Sequence, residues 1–349
     1  MAALAAECCA GPIWKVDGMT MKTGWTRAGR SVALAALFLG LMMVAGRSGS
    51  ASAPPAAPLT VVASFSILAD MVHEVGGPQV RVVTLVGPDG DAHVYHPSPA
   101  DARTLATADL VFINGLGFEP WFERLRKASA SKATVVVASQ GLTPQTLEPV
   151  ADPHASGHRH DDDHAGAGRG DHTVPDPHAW QNLRYGIRYV TTIAQALAAA
   201  RPEEAAGFQE RAEAYKARLM ALDAWVRTEL EAIPVEERKV ITGHDAFGYF
   251  ARAYDIRFIA PLGLNTEAEA TPKGVARLIR QMKAEKIRAV FLENMTDPRL
   301  VQQMARDGGG VLGGALYADA LSPPQGPAAT YEAMFRHNVA TLKAALQRP

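Results

Sequence analysis

The sequence predicts an α/β protein of two pseudo-repeated (β/α)4 lobes, each with a mainly parallel sheet, joined by one long rigid helix. Three observations predict it. Short β-branched runs alternate with amphipathic stretches on both sides of the chain's middle. Between them, from Arg201-Pro202 to Ile233-Pro234, a single helical seam runs from one proline boundary to the other. The two flanking halves also share a spacing: Val62 to Asn114 and Thr242 to Asn294 each cover 52 positions, and ADLVFING in the first answers IRAVFLEN in the second.

The N-terminus comes first and stands apart. Residues Ser31 to Ala45 read SVALAALFLGLMMVA, an apolar run preceded by Lys22, Arg27 and Arg30 and followed by small residues. It is too short for a membrane span and has the order of a secretory signal peptide, with Gly49-Ser50-Ala51 placing small residues at a cleavage site. Cleavage after Ala51 is expected; after Ala53 it would put Pro54 past the scissile bond. The basic residues begin well inside the chain, so the first eighteen or twenty residues read as an upstream extension, with the start at Met19 or Met21. The domain plan is thus a signal peptide at 1–51, a linker at 52–58, an N-terminal lobe at 59–201, a linker helix at 202–233 and a C-terminal lobe at 234–349.

In the first lobe, strands are expected at Thr60–Ala63, Val80–Val86, Leu110–Asn114 and Thr134–Ala138, with helices between. Ser98-Pro99 supplies an N-cap and a first-turn proline. After the fourth strand, residues 154 to 172 carry five histidines among aspartates and glycines with no periodicity, which predicts a loop. The linker helix has its seam on Ala205, Phe208, Ala212, Tyr215, Leu219, Leu222, Val226 and Leu230, and about thirty residues of helix span roughly 45 Å. In the second lobe, strands are expected at Lys239–Thr242, Arg257–Ala260, Ala289–Leu292 and Val311–Tyr317. Thr271-Pro272 opens a helix there as Ser98-Pro99 did.

Two α/β lobes turn their strand ends toward a shared crevice, where open sheets bind ligands. Four metal-ligand side chains fall on loops expected at those ends, 66 to 85 residues apart: His93, His178, His244 and Asp319. Taken singly, each has a plainer reading. His93 in GPDGDAHVYHPSP could be a solvated loop residue, and Asp319 in LYADALSPP a turn or N-cap aspartate. His178 in PDPHAW is framed by prolines, with Trp180 beside it to wall off water. His244 in ITGHDAFGYF leaves a buried strand, with Asp245 available as an orienting acceptor or a helix N-cap. Taken together, three imidazoles and one carboxylate complete a transition-metal shell and point to zinc. His96 competes with His93 but leans toward the next helix, while His73 and His337 fall within amphipathic helices.

Composition removes other classes. At 349 residues and 48% apolar the chain is neither disordered nor fibrous. Removing 1–51 takes away Lys15, Lys22, Arg27, Arg30 and Arg47 against Glu7 and Asp17, moving the net charge from −1 to −4. Nothing there suggests a nucleic-acid partner. Cys8 and Cys9 both precede the apolar run, so neither can be a lipid-bearing cysteine, and the mature chain is left with nitrogen and oxygen donors only. Gly308, Gly310 and Gly313 follow a helix and enter a strand, the reverse of a dinucleotide fingerprint. No P-loop, nucleophile elbow or zincin helix is present, so ATPase chemistry would belong to another chain. A zinc hydrolase would need an open coordination position, and four protein ligands leave none. The chain is therefore not expected to be an enzyme.

DAHVYHPSPAD, DPHAWQN, ITGHDAFGYFARAY, FLEN and LYADALSPP…YEAMFRHNVATL resemble the motif series of the cluster A-I, ZnuA-like metal-binding components of ABC transporters, over nearly the whole mature chain. The resemblance implies Zn2+ held between two lobes in the periplasm and delivered to an inner-membrane permease with a separate ATPase subunit, the binding protein acting as a monomer. A periplasmic zinc chaperone is a further partner. The family's ligands fall on His93, His178, His244 and Asp319. Manganese-binding relatives present Glu at the position of His244, so imidazole there favours zinc. The histidine-rich loop (His154, His158, His160, His164, His172) resembles those of zinc-specific members and would capture or sense zinc; its plainer reading is a solvated loop. Alternatives are a periplasmic zinc chaperone or buffer without a transporter, and a manganese-binding component. Ala92 departs from the usual Asp-Pro-His and should loosen the first loop, and Asn182-Leu183 departs from the usual continuation of the second motif. The disulfide of some zinc-binding relatives is impossible here. For release, a loop around Asp319 or His178 should move, and binding should weaken below about pH 6.

Overall fold

The computed structural model describes residues 57–147, 174–267 and 270–347. The expected signal peptide and the five loop histidines lie outside the described residues. Ala57–Pro349 is one compact unit built on two four-stranded parallel sheets.

In the first lobe, β1 (Leu59–Phe65) is followed by α1 (Ser66–Gly76), β2 (Val80–Val86), α2 (Pro99–Ala106), β3 (Leu110–Ile113), α3 (Phe122–Ser129) and β4 (Thr134–Val137). The sheet order is β2-β1-β3-β4. β1 is buried at six of its seven positions, as a central strand covered on both faces must be. Ser98 closes a capping box with Asp101 at the start of α2, with Pro99 in its first turn. A two-residue antiparallel pair, β5 (Thr146–Leu147) and β6 (Val174–Pro175), sits at the two ends of the histidine-rich stretch.

Asn182 N-caps α4 (Leu183–Ala200) by accepting from Arg184 N, which is the local work of the departure from the family's second motif. α5 (Ala205–Glu231) is the linker helix, about 40 Å long and entered through a 3-10 turn at Pro202–Glu204. Seven of the eight expected seam residues, Phe208 through Leu230, are buried; Ala205 is half-buried at the fraying start. The seam packs on α1 and α4 of the first lobe and on α9 (Tyr331–Leu346) of the second. Arg218 of α5 pairs with Glu74 of α1 and Glu332 of α9, pinning all three together.

In the second lobe, β7 (Lys239–Ile241), α6 (Gly248–Tyr254), β8 (Arg257–Ile259), α7 (Pro272–Glu285), β9 (Ala289–Glu293), α8 (Pro298–Gly308) and β10 (Val311–Leu316) make a sheet of order β10-β9-β7-β8. Renumbered from β7, that is the order of the first sheet, so the repeated spacing corresponds to a repeated topology. Thr271 caps α7 by accepting from Gly274 N. The glycine run after α8 serves β10: the strand bulges between Leu312 and Gly314, Gly314 has φ 125°, and a Cβ on Gly313 would meet the Phe291 ring. One apolar core runs from the first sheet through α5 into α6 and α9. A smaller one fills the space between the second sheet and α7 and α8.

Candidate metal centre

The C-terminal ends of both sheets face one crevice, and the four candidate ligands converge there. One ligand atom from each of His93, His178, His244 and Asp319 lies within 4.8 Å of all the others. His93 Nε2 is 3.3 Å from His178 Nε2 and 3.3 Å from Asp319 Oδ2, and His244 Nε2 is 3.0 Å from the same oxygen. Asp319 Oδ1 is 3.7 Å from His178 Nε2. Donors about 2 Å from a tetrahedral ion stand roughly 3.3 Å from one another, so the four atoms already frame such an ion. His178, His244 and Asp319 are fully buried and His93 is 5% exposed, which keeps water out of the shell.

Three ligands follow parallel strands: His93 after β2, His244 after β7 and Asp319 after β10. His178 differs from the expectation. It follows no strand of the two four-stranded sheets but the short β6 of the two-stranded pair, and stands at the N-cap of a 3-10 turn (Ala179–Gln181) leading into α4. The prolines of PDPH supply the fixed backbone that a strand end supplies elsewhere.

Both first-lobe histidines use the same local device. In Asp91-Ala92-His93 the Asp91 Oδ1 accepts from His93 N at 2.9 Å, and in Asp176-Pro177-His178 the Asp176 Oδ1 accepts from His178 N at 2.9 Å. Asp176 Oδ1 also takes His178 Nδ1 at 2.7 Å, which leaves Nε2 as the metal-facing nitrogen. Asn114, at the end of β3, donates to Pro177 O at 2.9 Å and steadies the same turn. For His244 the orienting acceptor is Glu293, at the end of β9, rather than Asp245. Glu293 Oε2 lies 2.5 Å from His244 Nδ1, while Oε1 accepts from Gly243 N and His244 N. Asp245 is not the N-cap of α6 either, since Phe247 holds that position. The signal for Asp91 and Asp176 was the twice-repeated D-x-H; for Glu293 it was the carboxylate of FLEN at a buried strand end.

Aromatic rings wall the site. Phe118 meets the edge of His93 with centroids 4.7 Å apart, Trp180 lies 5.4 Å from His178, and Phe65 packs on both Phe118 and Trp180. Trp180 Nε1 and Gln181 Nε2 both donate to Ala318 O, next to Asp319, and Leu321 N donates to Ser66 Oγ. Neither segment expected to move on release is therefore loosely held. The looseness expected from Ala92 is offset as well, because Trp121 Nε1 holds Ala92 O at 2.7 Å. His96 is exposed and bonded to Val94 O, His73 is exposed on α1, and His337 Nε2 bonds to Ala315 O, so none joins the shell.

Without a metal the shell behaves as an ion pair. Burial alone would depress the His244 pKa, but the carboxylates of Glu293 and Asp319 outweigh it and raise it well above the usual imidazole range. Burial would likewise raise Asp319, and the facing His244, His178 and His93 hold it well below the usual carboxylate range. At His93 burial wins and lowers the pKa, leaving that ring neutral and ready to ligate.

The sequence and the fold agree with known proteins. The family described as "Zinc-uptake complex component A periplasmic" matches residues 61–345. The chain is 32% identical over 295 residues to the manganese-binding lipoprotein MntA of Bacillus subtilis, covering 83% of this chain and 90% of that one. It is 29% identical over 305 residues to the iron-binding protein YfeA of Yersinia pestis, covering 87% and 92%. Among solved structures, the periplasmic zinc binding protein TroA from Treponema pallidum superposes with a TM-score of 0.71 at 28% identity, over 83% of this chain and all (100%) of that one. An Mn-bound periplasmic metal binding protein from Candidatus Liberibacter asiaticus does so with a TM-score of 0.69 at 26% identity, over 82% and 99%. With a family match across both lobes and relatives along nearly their whole length, the chain belongs to the ZnuA-like family of periplasmic metal-binding components of ABC transporters.

Proposed function

We propose that this protein captures Zn2+ between its two lobes on His93, His178, His244 and Asp319 and delivers it to an inner-membrane ABC permease driven by a separate ATPase subunit. The observation that carries the choice of zinc is the donor set: three imidazole nitrogens and one carboxylate oxygen, closely spaced and buried. The spacing alone accepts any small divalent ion. Donor type decides, because imidazole ligands favour Zn2+ over Mn2+ and a closed set of four suits a tetrahedral ion. The same closure argues against a hydrolase, since no position is left for water.

The apolar run at Ser31–Ala45 supports export to the periplasm. The position of Cys8 and Cys9 before that run supports a mature protein without a lipid anchor, unlike the relatives named lipoproteins. The histidines at 154, 158, 160, 164 and 172 would serve as an auxiliary zinc-capturing loop. Deleting 153–171 should then leave one tight site and lower the total zinc bound; unchanged stoichiometry rules the auxiliary role out.

The manganese-binding and iron-binding relatives favour a second reading, in which the cargo is manganese or iron. A chelator-competition titration of residues 52–349 with zinc and then manganese separates the two. One tight zinc site with weak manganese binding supports the proposal, and comparable or tighter manganese binding reassigns the cargo. A buffer without a transporter is separated by growth: a deletion strain starved of zinc should fail and be rescued by added zinc.

A further inference from the structure

The two D-x-H turns spend their carboxylates differently. Asp176 gives one oxygen to both nitrogens of its own histidine, Nδ1 and the backbone amide, and its Oδ2 is buried without a partner. Asp91 instead divides itself between the lobes. Its Oδ1 accepts from His93 N at 2.9 Å, and its Oδ2 accepts from the Thr266 hydroxyl at 2.5 Å. Thr266 lies on the segment that follows β8, and that segment is bonded back onto the turn carrying His244: Asp245 N donates to Gly263 O at 3.0 Å, and Leu262 N to Gly243 O at 3.4 Å. An unbroken line of hydrogen bonds and backbone thus runs from the first metal ligand to the third, across the mouth of the crevice. A cavity of about 620 Å3, lined by Asp91, Gly243, Leu262, Thr266 and Thr296 among others, adjoins this line.

We propose that the Asp91–Thr266 bond is a latch: Asp91 is a positioning residue that holds the His93 loop against the segment over His244, and the bond sets how long the metal stays. The inference rests on the four-ligand site proposed above but not on which metal fills it. A hydrogen bond to a charged acceptor that reaches across two separately supported loops affects opening more than it affects the fold. Other cross-lobe bonds fasten other segments: Trp180 and Gln181 donate to Ala318 O, Leu321 N donates to Ser66 Oγ, and on the His93 loop itself Asp89 N donates to Leu321 O while Asn294 Nδ2 donates to Asp89 Oδ1. Among the described residues the Asp91–Thr266 bond is the one that ties this loop to the segment over His244.

The test uses the full mature chain, unmodified and as Thr266→Val, Thr266→Ala and Thr266→Ser. Each is loaded with Zn2+, and separately with Mn2+, and mixed rapidly with excess chelator to read the dissociation rate. Val and Ala should release the tightly held metal about tenfold faster or more, with the single tight site retained and an unchanged melting temperature of the metal-free protein. Ser, which keeps the hydroxyl, should remain close to the unmodified rate. A Val or Ala rate equal to that of the unmodified chain, or a Ser rate as fast as Val, overturns the latch. If the unmodified chain has no tight site for either ion, the four-ligand reading fails and takes the latch with it; tight binding with a silent Val variant removes the latch alone.

Discussion

At the scale of single residues, the chemistry of the site lies in pairs that the sequence shows only by halves. The four candidate ligands that the fold brings together were legible as candidates because histidines and an aspartate follow buried runs 66 to 85 residues apart. Their supporting carboxylates were less so. Glu293 lies 49 positions from His244 and meets it only because β9 and β7 are neighbours in one sheet. It is Glu293, not the nearer Asp245, that takes the imidazole Nδ1. Replacing Asp176 with Asn or Glu293 with Gln should keep much of the shape while removing the charge behind the imidazole. Each should cost about 10- to 100-fold in metal affinity, read by chelator competition, with one-to-one stoichiometry retained. The ion pair of the empty shell also fixes the pH response. Metal must displace the proton from His244, whose pKa stands well above 6.5, so affinity should already fall through neutral pH, by about tenfold per unit, rather than only below pH 6. Titrations between pH 5 and 9 check this, and a flat response above about pH 6.5 contradicts it. In the metal-free protein, the raised His244 stabilises below its unfolded value of 6.5 and that contribution is lost as pH rises through its folded pKa. The depressed Asp319 stabilises above 3.8 and that contribution is lost as pH falls through its folded pKa. The pair therefore supports the empty protein most between those two values.

At the scale of elements, the strands and the linker helix were readable almost to the residue, because β-branched runs and a three-four seam report burial directly. The placement of His178 was not. Periodicity says nothing about a proline-framed turn that borrows its rigidity from Asn114 and Asp176. Contacts between α1 and α9 were equally hidden, since they join residues some 260 apart. There Asp70 Oδ2 accepts from Tyr331 N at 2.8 Å at the head of α9, and burial pushes the Asp70 carboxyl up to about 7. The unfolded chain releases this proton near 3.8 and the folded chain near 7, so folding loses stability as pH rises between them. Asp70→Asn keeps an acceptor for Tyr331 N without the charge. Thermal melting should show the variant more stable than the unmodified chain at pH 8, by up to about 4 kcal/mol, and nearly equal to it at about pH 3. A variant less stable at pH 8 would mean that the charge itself holds α9.

At the scale of the whole molecule, two sheets of the same strand order turn their C-terminal ends toward one site, and α5 packs by its apolar seam on helices of both lobes. The consequence is a site assembled from 226 residues of chain, His93 to Asp319, with three imidazoles and a carboxylate buried in one shell. An ion that fills such a shell should stabilise the fold by about 4 kcal/mol at a thousandfold excess over the dissociation constant. Under the proposed function these four side chains are the complete coordination shell of a bound zinc ion. X-ray absorption at the zinc edge on the one-to-one complex tests it most directly. It should report four light donors at about 2.0 to 2.1 Å, three of them with the outer-shell scattering of imidazole, and the His244→Ala protein should lose one of those three. A six-coordinate, oxygen-rich shell, or an unchanged spectrum in the His244→Ala protein, would contradict it.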